Sequence, residues 1–348
     1  MSFQTLNNPA QRIGRIAGEI MAHAAPVEVL GMFGTQKQHP KNVGATVVYR
    51  RWLPYGGATT NSNTINRWVV DAGAHQLNEG VTPDADTLTP QDITVSLQEY
   101  GCLYALTNRT VDLSEDDVPA EMKKQCGERI GLVREMIRYG VVKGGTNVYY
   151  SNGSSRAAVN SKINLNGLRR ISRNLQANHA MRITSVLSMS PDYGSTGVEA
   201  SYVVIAHTDC EADIRDLANF KNTSEYGQRK TISPYEIGSC ENFRFVLSPE
   251  LGAYADAGGS GLTNGVYCTT STTAADVYPM IVCGEDAWGQ VALRGANALS
   301  PTYIPPGQKT KDDPLGQRGF IGASFYMNCV RLNEGWMAVY EVAISTLA

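Results

Sequence analysis

The chain has 348 residues, 42% of them hydrophobic and 18% charged, with a formal net charge of -3. That length supports one or two folded domains with a sizeable core, and the slight negative balance excludes a strongly basic surface of the kind that holds DNA by counterion release. No apolar run reaches the roughly 20 residues needed to cross a bilayer, and MSFQTLNNPAQRIGRI lacks the basic-then-apolar order of a secretory signal.

Asn8-Pro9 opens a short amphipathic helix with Ile13, Ile16, Ile20 and Met21 at helical spacing before Pro26. Short and mixed in charge, it is read as local packing and not as a membrane anchor. From Gly44 to Gly101 the texture changes. YRRWLPYGGATTNSNTINRWVVDAG is rich in Gly, Thr, Asn and Ser, whereas TLTPQDITVSLQEYG alternates Ile93, Val95 and Leu97 with Thr94, Ser96 and Gln98, the period of a strand. The spacing predicts a long two-stranded excursion whose tip is too polar to carry its own core, so a neighbouring subunit is expected to cover it. Arg50, Arg51 and Trp52 at its base, with Arg67 and Trp68 further on, are candidate inter-subunit contacts, since Arg and Trp are favoured interface anchors.

SEDDVPAE leads into the strongest helical pattern in the chain, in which Val118, Met122, Cys126, Ile130, Val133, Ile137 and Val141 recur every three or four residues. Pro119 suits the first turn, and Glu115, Asp116 and Asp117 suit the positive end of the dipole. A helix over 118–143 follows, about 38 Å long at 1.5 Å per residue. The next helix, NLNGLRRISRNLQANHA, puts Leu165, Leu168, Ile171 and Leu175 on one face. Its Arg169, Arg170 and Arg173 are read as a solvated or inter-subunit face rather than a nucleic-acid patch.

Strand-like runs (SYVVIAH, ENFRFVL, VYPMIVCG) then alternate with Gly-rich loops; DAGGSGLTNG lacks the Gly-Lys-Ser/Thr ending of a phosphate cradle. At the C-terminus GASFYMNCVRL and WMAVYEVAI flank Asn333-Glu334-Gly335, which predicts a hairpin with a positive φ at the glycine.

The densest polar cluster is His207, Asp209, Cys210, Glu211 and Asp213 in YVVIAHTDCEADIRDL. A metal or nucleophile site there needs a second convergent ligand or base, and the histidines at 23, 39, 75 and 179 supply no such spacing. Thr208 and Glu211 stand at capping-box separation, so the cluster is read as a helix start, with His207 placed to hydrogen-bond across a packing surface. Glu285-Asp286 is read as a turn or the cap of a short helix. Seven cysteines (102, 126, 210, 240, 268, 283 and 329) are scattered and never in CxxC spacing, so they are expected reduced and mostly buried. With no catalytic motif in the chain, neither catalytic residues, cofactor nor metal are expected.

Taken together, YRRW, LNEGVTP, LTPQDITVSLQEYG, the acidic lead into a long helix, YVVIAHTDCEADIRDL, EIGSCENFRFVLSPE and YPMIVCGEDAWGQVAL resemble the major capsid proteins of tailed double-stranded-DNA bacteriophages, in the branch typified by coliphage N4. The resemblance implies an α+β, Hong Kong 97-like capsid fold: N-terminal arm 1–43, extended loop 44–101, peripheral domain 102–182 with spine helix 118–143, axial domain 183–310, and 311–348 returning to the peripheral sheet. It implies a virion shell built in the host cytoplasm as a homo-oligomer of hexameric and pentameric capsomers. Portal, decoration and separate scaffolding proteins are the implied partners, with weak non-specific contact to packaged DNA and no membrane. A cellular nanocompartment shell on the same fold and a soluble α/β enzyme are the alternatives. Some shells of this fold are locked by an isopeptide bond from a loop lysine. Here every basic residue between Lys41 and Lys123 is an arginine or His75, and guanidinium is a poor nucleophile, so non-covalent assembly is expected.

Overall fold

A computed structural model describes residues 28–52, 76–77, 79–80, 90–114, 116–187, 195–227, 230–260, 274–293 and 299–347. The helix expected near 9–25, Arg67, Trp68 and Cys268 lie outside the described residues. In chain order the elements are β1 (Thr35–His39), β2 (Thr46–Trp52), β3 (Pro90–Ser96), β4 (Gln98–Thr107), α1 (Asn108–Leu113), α2 (Val118–Val142), β5 (Val148–Tyr150), α3 (Leu165–Ala177), β6 (Ile183–Leu187) and β7 (Ser195–His207). There follow α4 (Glu211–Arg215), β8 (Phe220–Asn222), β9 (Glu236–Cys240), β10 (Phe243–Ser248), β11 (Tyr278–Cys283), β12 (Trp288–Leu293), β13 (Leu299–Ile304), β14 (Arg318–Arg331) and β15 (Met337–Val342).

Two sheets carry the core. The five-stranded one is built around β14: β4 runs antiparallel along one edge, β12 and β13 lie in tandem along the other, and β1 pairs parallel to β12. The eight-stranded one has the order β5-β15-β11-β7-β10-β9-β8, with β6 also on β7. Its central strands β10, β11 and β15 are buried at every position, because both faces are covered. On one face Val204, Phe243, Phe245, Met280 and Tyr340 pack against Leu168, Ile171 and Leu175 of α3 and Ile214 of α4. On the other, Val203, Ile205, Val246 and Ile281 pack with Tyr139 and Val142 of α2, with Trp288, and with Val29 and Leu30.

Helix α2 is the element the two sheets share. Asp117 caps it, accepting from the Ala120 N–H, and Pro119 sits in its first turn as expected. Its first half lays Met122, Cys126 and Ile130 on the five-stranded sheet, against Ile321, Phe325 and Met327. The expected stripe then gives way: the buried residues of the second half are Gly131, Glu135, Arg138, Tyr139 and Val142, while Val133, Ile137 and Val141 are half-buried. The helix turns a second face, bearing two charged residues, to the segment at 28–34 and the eight-stranded sheet.

The C-terminal hairpin does not form. β14 and β15 belong to different sheets, and the link between them, a 3-10 turn over Glu334–Trp336 capped by Asn333, carries the chain across. Both edges of β14 are occupied by β4, β12 and β13, and β15 lies between β11 and β5, so neither has an edge free for the other. Gly335 is not among the positive-φ glycines; its Cβ position lies 3.2 Å from Asn178 Cγ.

Gly34 is required by close approach: a Cβ there would stand 2.3 Å from Nε1 of the buried Trp288. Gly127, exposed on α2, faces open space. In the free subunit, urea titration should show Gly34→Ala destabilising by about 1–3 kcal/mol through overpacking and Gly127→Ala stabilising by about 1 kcal/mol through helix propensity. A stabilising Gly34→Ala would contradict the packing at Trp288.

Candidate functional site

The second face of α2 builds a buried polar node. Glu135, fully buried, accepts hydrogen bonds from the backbone N–H groups of Val29 (2.9 Å) and Leu30 (2.8 Å). It thereby caps the 3-10 turn Leu30–Met32, which has no side-chain cap of its own. Arg138 donates through Nη1 to Glu135 (3.3 Å) and Glu28 (3.2 Å), and through Nε to Gln290 Oε1 (2.8 Å). Gln290, on β12, donates in turn to the Gly31 carbonyl (3.0 Å). Gly31 leaves room for the guanidinium, since a Cβ would stand 3.0 Å from Arg138 Cζ. Helix, sheet and residues 28–31 are thus tied at one point. Burial raises the Glu135 carboxyl above the ordinary range, against the pull of the two N–H groups and Arg138. The apolar stripe marks Val133, Ile137 and Val141 as the buried side of this half of the helix, so the sequence pattern gives no sign of the node.

The root of the two-stranded excursion is a second candidate. β2 and β3 pair antiparallel from Thr46 opposite Ser96 to Trp52 opposite Pro90. One face of the ribbon, Val47, Tyr49, Val95 and Leu97, packs on Val291 and Val330 of the five-stranded sheet. The other face stays open: Val48 is exposed, Arg50 forms a two-pronged pair with the cross-strand Asp92 (2.7 Å each), and Trp52 is 57% exposed. Arg51, half-buried, donates to its cross-strand neighbour Gln91 at 2.7 Å. On α3, Arg169 pairs with Glu241 (2.5 Å), Arg170 lies over the Tyr149 ring and Arg173 is exposed.

The capping-box expectation at Thr208 and Glu211 is corrected. Helical geometry begins one residue early, in a 3-10 turn Thr208–Cys210, so Thr208 lies inside the run and His207 is the cap, its Nδ1 accepting from the Asp209 N–H at 3.1 Å. Glu211 instead accepts from Arg215 one turn on (2.9 Å), and α4 has no side-chain cap. The His207 Nε2–H faces the Pro249 carbonyl at 3.1 Å, across the packing surface. Tyr278 donates to Asp209 (2.9 Å), the buried Asp213 accepts from the Ser345 N–H (2.8 Å), and burial pushes the Cys210 thiol up, so the cluster is consumed in local structure. Glu285-Asp286 is a turn with Asp286 at φ 57. Among the described residues no group of His, Cys, Asp or Glu is arranged to hold a metal ion. A cleft of about 310 Å³ at the start of α2 is lined by Asp116, Asp117, Glu121, Gln125 and Tyr104, with no nucleophile–base pair.

Against solved structures the whole chain finds counterparts. It superposes on the capsid of Ralstonia phage GP4 with a TM-score of 0.66 at 11% identity, covering 100% of this chain and 99% of that one. The capsid of cyanophage Pam1 matches with a TM-score of 0.58 at 13% identity, over 98% and 99% of the two chains. The mature capsid of bacteriophage PhiM1 matches with 0.58 at 10% identity, over 95% and 92%. The chain has a phage capsid fold. No family model matches the sequence, and no curated protein does.

Two measurements test the node. Arg138→Ala leaves Glu135 buried without its cation and should lower the unfolding free energy by about 3–5 kcal/mol. The folded chain binds the Glu135 proton more tightly than the unfolded chain does, so its contribution is present below the ordinary carboxylate pKa and lost as pH rises through the folded value. The stability of the wild type relative to Glu135→Gln should therefore fall with rising pH from about 4.3 upward and then level off; a difference that rises over that window would contradict the buried carboxyl.

Proposed function

We propose that the chain is a structural major capsid protein of a tailed double-stranded-DNA phage, assembling into the icosahedral shell around the genome, and that it is not an enzyme. The observation that carries this reading is the match of essentially the whole chain, end to end, to a phage capsid subunit. In this reading α2 is the spine helix, the five-stranded sheet beneath it forms the peripheral domain, and the eight-stranded sheet with α3 and α4 forms the axial domain. The domains then interleave along the sequence: β12 and β13 return to the peripheral sheet, whereas β5 and β15 join the axial one. Residues 44–101 are the extended loop, rooted in the β2–β3 ribbon, and the arm leaves the body at the Glu135–Arg138 node. Capsomers of six and five copies are the proposed assemblies, helped by a scaffolding protein and closed by a portal, in the host cytoplasm; decoration proteins are further candidates.

The exposed Trp52, with Arg50 and Arg51 beside it, is the proposed inter-subunit anchor at the loop's root. Purified chain should form shells, tubes or capsomer rings in negative-stain micrographs, with or without a scaffolding partner; monomer alone at all concentrations and salt conditions would count against the proposal. Trp52→Ala should impair assembly while leaving the subunit's unfolding midpoint nearly unchanged, and normal assembly of the variant would remove Trp52 from the interface. Particles boiled in detergent without reductant should give one band near 37.7 kDa. A ladder of larger species would overturn the expectation of non-covalent assembly.

A further inference from the structure

Where β4 crosses α2, two cysteines meet. Cys102, half-buried on β4, packs against Cys126, which is 4% exposed on the helix face that covers Phe325 and Met327. The Cys102 thiol donates to the Cys126 carbonyl at 3.6 Å. Burial, and after it a hydrogen bond between the two thiols, pushes Cys126 up to about 12. Other buried thiols, Cys240 and Cys283, donate to the carbonyls of Ala218 and Val203. The Cys102–Cys126 contact differs in chemistry because the residue that Cys102 touches is itself a cysteine in the same packed cluster, so two oxidisable groups are neighbours.

We propose that Cys102 and Cys126 form a dithiol site that closes to an intramolecular disulfide in an oxidising medium, joining strand β4 to the long helix α2. With a small disulfide such as oxidised glutathione as oxidant, the more accessible Cys102 thiolate attacks one sulfur. The glutathione S–S bond breaks, one glutathione thiolate leaves, and a mixed disulfide remains on Cys102. Cys126, deprotonated to solvent, then attacks Cys102 Sγ and expels the second glutathione. Two thiol protons are released to solvent, and two electrons pass from the protein dithiol to the glutathione disulfide. Because each attack needs a thiolate, closure is faster in alkaline solution and slow at neutral pH. The chain folds with both thiols free in a reducing cytosol and is stapled after release to an aerobic medium. That setting rests on the capsid reading, whereas the thiol chemistry belongs to the folded chain.

The test uses the full purified chain, folded and reduced, incubated with oxidised glutathione at about pH 8.5, near the ordinary thiol pKa. It is then alkylated and mapped by mass spectrometry. A peptide containing Cys102 should be joined to one containing Cys126, with the non-reducing band kept at the monomer position and the unfolding midpoint raised by roughly 5 °C. Both changes should reverse with reductant and vanish in Cys102→Ser, whose half-buried position tolerates the change. Full alkylation of both thiols in oxidant-treated native protein, a stable glutathione adduct on Cys102, or a link from either residue to another cysteine would each overturn the proposal. The measurement needs no particle, so a link in a chain that never assembles would keep this inference and refute the capsid reading, and the reverse result would do the opposite.

Discussion

The structure depends on the ionic contact between Glu135 and Arg138 in the second half of α2. The helix has to serve two sheets and an irregular segment at once, and an apolar stripe alone serves one partner. The first half obeys the stripe and packs on the five-stranded sheet. In the second half a carboxylate with no exposed surface takes the N–H groups of Val29 and Leu30, and the adjacent guanidinium reaches Gln290 of β12. Backbone groups of a 3-10 turn buried against a helix need partners, and no regular element offers them here.

The same solution recurs. Glu236, 6% exposed, accepts from Tyr226 (2.7 Å) and from the Ile232 N–H (2.5 Å), fixing the chain that leads into β9. Glu341, the last residue but one of β15 and without exposed surface, receives a two-pronged pair from Arg156 (2.9 and 2.6 Å), whose guanidinium also stacks over Tyr254 at 3.7 Å. Asp213 holds Ser345 near the C-terminus. In each case a buried acid on a regular element pins a segment that has none. Such pairs add little net stability over well-packed apolar side chains, but their hydrogen bonds have one geometry, whereas apolar contact tolerates sliding. They set where loops and termini leave the body.

That division explains what was legible in the sequence. The apolar face of α3 (Leu168, Ile171, Leu175) and the first half of α2 follow from periodicity, since each packs on one surface. The ribbon followed from the alternation at Ile93, Val95 and Leu97, because only one of its faces is covered. The buried acids were invisible: Glu135 and Glu341 answer to partners 105 and 185 residues away in the chain, and Glu236 to an N–H four residues back in an irregular stretch. The hairpin expectation failed for a readable reason. MAVYEV is buried at every position, which marks a central strand covered on both faces, whereas β14 alternates, so the two were never matched for one sheet. At Thr208 the capping box had the right spacing, but the 3-10 turn gives the Glu211 N–H to the Thr208 carbonyl, and the imidazole of His207 caps the turn at the Asp209 N–H.

On the proposed capsid reading, in which the subunit works by repetition, this internal economy matters more than any single surface residue. A closed shell multiplies each contact by the number of copies, so an individual contact can be weak and the whole still persist, provided simultaneous engagement is geometrically allowed. Geometry, not affinity, is then the demanding variable, and the direction in which a ribbon leaves the body decides whether neighbours can be reached together. The β2–β3 ribbon is seated by Val47, Val95 and Val291, and its open face ends in Trp52. The segment beginning at residue 28 is seated by Glu135 and Arg138. Both seats lie on the same short stretch of the sheet, where Gln290 and Val291 are adjacent on β12 with side chains to opposite faces. One strand therefore seats both the ribbon and the segment from residue 28, and a shift of α2 against β12 would move that segment while leaving the ribbon in place.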